Sequence, residues 1–82
     1  MNIYVANFHN STTETNLKHI FRKYGRVASV TIWVDFKTGE RKGFGFVKMV
    51  DHIDASVAIS ELNGRFWRGK QLTVRTARTQ DY

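Results

Sequence analysis

Residues 42–49 read Lys-Gly-Phe-Gly-Phe-Val-Lys-Met, and the segment divides by parity. Lys42, Phe44, Phe46 and Lys48 take the even positions; Gly43, Gly45, Val47 and Met49 take the odd ones. Strand side chains point alternately to opposite faces, so this pattern describes a strand with one aromatic, cationic face and one apolar face. Residues 2–7 repeat the division, with Ile3 and Val5 on one side and Tyr4 between them. A sheet holding both strands buries Ile3, Val5, Val47 and Met49. It turns Tyr4, Phe44 and Phe46 toward solvent.

Two segments have the other period. Leu17, Ile20, Phe21 and Tyr24 recur at helical spacing, as do Ala55, Ala58, Ile59 and Leu62. The first helix is predicted to start at Thr12 or Thr13, where Ser11-Thr-Thr-Glu14 fits a capping box, and to stop at Gly25. The second is predicted to open at Asp51 or His52 and end at Asn63-Gly64. Residues 27–34 form another strand, with Val30, Ile32 and Val34 on one face and Thr31 and Trp33 on the other. Asp35 to Glu40 supplies a hairpin turn, with Gly39 where a positive φ is needed. Residues 65–70 read as a loop, and 71–76 as a last strand with Leu72 and Val74 inward. The order β-α-β-β-α-β predicts an α+β, ferredoxin-like sandwich: a four-stranded antiparallel sheet with two helices on one face. The first and third strands lie at its centre, and its other face is open.

Composition narrows what that face can meet. The 82 residues allow one domain, and 13 Lys and Arg against 7 Asp and Glu leave +6, which favours a polyanionic partner. Cysteine is absent, so no disulfide or thiolate metal site can form. Six Phe, three Tyr and two Trp exceed what so small a core needs. Clustered exposed rings beside ammonium groups suit the bases and phosphates of single-stranded nucleic acid.

Residues 42–49 closely resemble the ribonucleoprotein octapeptide of the RNA recognition motif family, with Met49 in place of a final aromatic. Ile3-Tyr4-Val5-Ala6-Asn7-Phe8 is similar to the companion hexapeptide, with Ala6 where Gly is common. The separation of the two motifs and the Leu62-Asn63-Gly64 helix end fit as well, and the resemblance covers essentially the whole chain. The compact form looks like the small single-domain RNA-binding proteins of bacteria. The resemblance implies a motif over residues 1–78 and a polar tail over 79–82. It also implies that Tyr4 and Phe46 each stack a base, Phe44 packs between sugars and Lys42 meets phosphate. Gln71, Thr73, Arg75, Ala77 and Arg78 would read base edges through main-chain and side-chain groups. Asn7 would hydrogen-bond a nucleotide, and Lys48 would flank the rings. Trp33 either joins the platform or only covers Phe44.

Other features favour plain structural roles. Phe66 or Trp67 plugs the sheet edge. Lys18, Arg22, Lys23 and Arg26 form a solvated helix face, far from the rings. His9, His19 and His52 show no metal spacing. Gly43-Phe-Gly45 lacks the third Gly and the following helix of a phosphate-binding loop. No catalytic carboxylate pair or activated nucleophile is visible, and residues 7–11 lack the Arg of an acylphosphatase-like anion loop. The expectation is therefore a cytoplasmic, monomeric, non-enzymatic module without metal or cofactor. It would act in post-transcriptional regulation, binding single-stranded RNA and, more weakly, single-stranded DNA, with no membrane partner. The competing expectation is an RNA-recognition-like fold that binds protein.

Overall fold

The computed structural model describes residues 1–35, 37–39 and 41–77, with the backbone alone for 41 and 42. Strands β1 (Asn2–Ala6), β2 (Val27–Val34), β3 (Arg41–Met49) and β6 (Thr73–Thr76) form one antiparallel sheet in the order β2-β3-β1-β6. A short ribbon, β4 (Phe66–Trp67) and β5 (Lys70–Gln71), stands apart from it. Helices α1 (Glu14–Arg22) and α2 (His52–Leu62) supply the second layer. The predicted sandwich is what forms, with β1 and β3 central. Among the described residues, no helix is long and apolar enough to cross a membrane.

Parity decides the core. Ile3, Val5, Val47, Met49 and Val74 are buried against Leu17, Ile20 and Phe21 of α1 and Ala55, Ala58 and Leu62 of α2. Met49, the departure from the octapeptide, fills this core at 1% exposure. Gly45 faces the same way, and a Cβ there would run into the Thr31 carbonyl of β2 and come within 3.1 Å of Ile32 Cα. The missing side chain lets β2 and β3 approach closely.

Several local expectations are corrected. The capping box of α1 joins Thr13 and Asn16 rather than Ser11 and Glu14: Thr13 Oγ1 accepts from Asn16 N–H, and Asn16 Oδ1 accepts from Thr13 N–H. Gly25 is not a left-handed helix stop. The helix ends at Lys23 in right-handed geometry, and Gly25 is small because Asp54 packs where its Cβ would be. Val34, expected inward, lies past a register irregularity at the end of β2 and is 40% exposed. Residues 65–70 are no simple loop: Arg68 (φ 51°) and Gly69 (φ 85°) turn the β4–β5 ribbon back on itself. The last sheet strand therefore begins at Thr73. Residues 7–11 form the expected loop, and within it Phe8 is fully buried.

Other expectations hold. Gly39 has φ 75°, and Asp35 Oδ1 accepts from the Lys37 and Thr38 amides to close the hairpin turn. Asp51 caps α2 by accepting from the Ile53 and Asp54 amides. By contrast, the ring expected to plug the sheet edge does not do so: Phe66 is exposed, and Trp67, in the separate ribbon, packs against the core beside Asn16, His19 and Ile20 of α1.

Candidate nucleic-acid interface

The β1–β3 register places Tyr4 directly opposite Phe46, and Ala6 opposite Phe44. The small Ala6 side chain leaves room for Phe44 to lean toward Tyr4. Tyr4 is 5.8 Å from Phe46 and 6.2 Å from Phe44 between ring centroids, both tilted. Trp33 of β2 then lies 6.3 Å from Phe44, stacked at 24°. Phe46, Tyr4, Phe44 and Trp33 thus form a continuous row across three strands of the open face. The three central rings are half-buried rather than fully exposed, because they partly cover one another.

Charge lies beside the row. Arg75 of β6 pairs in register with Tyr4, and its guanidinium sits 4.7 Å above the ring, a cation–π contact. Lys48 is exposed at the far end of β3, opposite Asn2 and Ser29. Thr73, opposite Ala6, is exposed two residues before Arg75. Thr31 stands opposite Phe46 and is exposed, so it too borders the platform. Its parity with Trp33 was the signal for it, but it was not among the expected site residues.

The remaining candidates lie elsewhere. Asn7 takes φ 64° and donates its side-chain amide to the Gln71 carbonyl at 2.7 Å, fastening the end of β1 to the ribbon. The Gln71 side-chain amide donates to the Gly64 carbonyl at 3.0 Å, at the end of α2. Ala77 is buried, with its N–H donated to the Asn2 carbonyl. The structure thus engages Asn7, Gln71 and Ala77 in internal contacts. The Lys42 side chain and all of Arg78 lie outside the described residues.

A four-stranded antiparallel sheet with both helices behind it and a row of rings in front defines a class of small α+β binding modules. Within that class, the chain belongs to the RNA recognition motif family, whose model matches residues 3–73. It is 41% identical over 81 residues to RbpD of Nostoc sp., whose name assigns it RNA binding; the match covers 99% of this chain and 86% of that one. The crystal structure of RNA binding protein PG1 superposes with a TM-score of 0.96 at 39% identity, covering 100% of this chain and 99% of that one. A Sex-lethal protein solved in complex with RNA superposes with a TM-score of 0.87 at 37% identity, covering 93% of this chain and 47% of that one.

Proposed function

We propose that the protein binds single-stranded RNA on the open sheet face. The row Phe46, Tyr4, Phe44, Trp33, with Arg75 above Tyr4, carries this reading. Tyr4 and Phe46 each stack one base, and Phe44 lies between the sugars that join them. Trp33 extends the platform onto β2. Arg75, Lys48 and Lys42 neutralise phosphates, and Thr73 and Thr31 offer hydroxyls to base edges. The family membership and the relatives' names support the ligand class. Membership of a nucleic-acid-binding family supports a module that binds without catalysis. Its setting in this reading is the cytoplasm, and its task is post-transcriptional control of RNA.

The test is titration of a labelled eight-nucleotide RNA of mixed sequence, beside DNA of the same sequence. Saturable binding of RNA, weaker binding of DNA, and loss of both in Tyr4→Ala/Phe46→Ala are the expected results. A double variant that binds RNA as the parent does would move the site off the sheet. Capture of a protein with no RNA binding would favour the protein-interaction reading.

A further inference from the structure

Lys18, Arg22, Lys23 and Arg26, four of the 13 basic residues, lie along or just after α1, behind the sheet. Read as sequence, they make a solvated helix face. The structure gathers three of them. Lys18, Arg22 and Arg26 surround an open cavity of about 340 Å3 whose other walls are Gly25 and Val27. No carboxylate lines it; the acidic group that approaches is Asp54 of α2, packed against Gly25. Arg26 is held in place, since its carbonyl accepts from the Val50 amide at 3.1 Å. Three cations around one opening outnumber the single carboxylate beside its Gly25 wall, and that excess of positive charge suits a phosphate.

Its position links it to the rings. Val27 begins the edge strand β2, and Val27 and Ser29 stand opposite Met49 and Lys48. The cavity and Lys48 therefore flank the same end of β2, one on the helix side and one on the ring side. Between them β2 presents Ala28 and Ser29, both exposed and short. Beside them runs a groove lined also by Glu14, Thr15 and Val30, and it shares Lys18 and Val27 with the cavity, so a strand that rounds this edge passes one carboxylate, Glu14, on its way to the three cations. The detour crosses one layer of the sandwich, about 10 Å.

We propose that this cavity is a second phosphate site for the same RNA strand. A strand stacked on the rings continues past Lys48, rounds the β2 edge at Ala28 and Ser29, and sets backbone phosphates among Lys18, Arg22 and Arg26. The inference rests on the RNA-binding reading, and RNA length separates the two. A four-nucleotide RNA fills the ring platform, which holds only two or three bases. A twelve-nucleotide RNA also reaches the cavity.

Both RNAs are titrated against the wild-type protein and K18Q/R22Q/R26Q at several salt concentrations. The variant should bind the four-mer as the wild type does. Each single-strand phosphate that a cation neutralises is worth about 0.7 in the slope of log affinity against log salt, or about fivefold in affinity at 0.1 M. If the variant leaves two or three phosphates without their cations, the twelve-mer should bind about 25- to 125-fold more weakly at 0.1 M, with a slope shallower by about 1.4 to 2.1. The charge-keeping variant K18R/R22K/R26K should retain both the affinity and the slope. Unchanged twelve-mer affinity and slope in K18Q/R22Q/R26Q would overturn the second site and leave the platform standing. Loss of the four-mer as well would show that these charges act through the platform or the fold, which also overturns it. A wild-type protein that binds neither RNA would remove both readings together.

Discussion

Replacing Tyr4 and Phe46 with Ala removes the two rings that face each other across the central strand pair. A base stacked on an aromatic side chain is worth about 1–3 kcal/mol, or about 5- to 140-fold in affinity. The two losses should not simply add. The rings are 5.8 Å apart, so truncating either one already loosens the other, and residues in contact couple by about 0.5–3 kcal/mol. The double variant is therefore expected to lose about 2–4 kcal/mol, or about 30- to 900-fold in affinity. Fluorescence anisotropy with a labelled RNA at fixed salt measures it. Fully exposed rings would leave thermal melting untouched. These rings are half-buried against each other, and an aromatic pair adds about 0.5–1.5 kcal/mol. Since about 1 kcal/mol shifts Tm by about 4–8 °C in a domain of this size, a modest fall in Tm is expected, with an unchanged far-ultraviolet circular dichroism spectrum at 25 °C. Binding at wild-type strength would refute the platform. A collapsed spectrum would assign the rings to the core instead.

Gly45→Ala should destabilise the fold by about 1–3 kcal/mol, read from denaturant midpoints, because its Cβ would push against the β2 backbone at Thr31 and Ile32. Thr12→Val should be neutral or stabilising by about 1 kcal/mol in the same assay, since the Thr12 hydroxyl is buried and, among the described residues, makes no hydrogen bond. In single-tryptophan variants, RNA should quench Trp33 emission saturably with the affinity of the binding curve. Trp67 should barely respond, because it packs against the core with Arg68 5.8 Å from its ring. An unresponsive Trp33 would end the platform at β3.

The central strands were legible because a strand has a period of two, and Tyr4, Phe44 and Phe46 are out of phase with Ile3, Val5, Val47 and Met49. That one phase relation carried both the core and the ring platform. The parts that were not legible depend on residues distant in the chain or on the choice between two local options. Asn7 could serve a ligand or the fold equally well in sequence. Its amide bond to the Gln71 carbonyl, 64 residues away, adds a structural role that no local pattern announces, and Phe8, the next residue after the left-handed turn, is buried. Ser11–Glu14 and Thr13–Asn16 are both acceptable capping pairs, and the helix selects the second. Gly25 resembles a helix stop, but its smallness answers Asp54 on the other helix. The basic residues of α1 gave no sequence sign of the cavity, because Val27, which closes it, belongs to the next element.

The irregular pairing of β2 has a further consequence. Val27 and Ser29 pair with consecutive residues of β3, so Ala28 is an extra residue in the strand, and a second irregularity lies between Ile32 and Val34. Its outer margin therefore offers only a short regular stretch of free amides and carbonyls. An exposed sheet edge ordinarily templates the addition of a foreign strand, and bulges that twist it away suppress such growth. A basic domain with a row of rings on its surface would be prone to build filaments if its edge were straight. Broken at both ends, β2 makes a poor template for the addition of another strand along that edge.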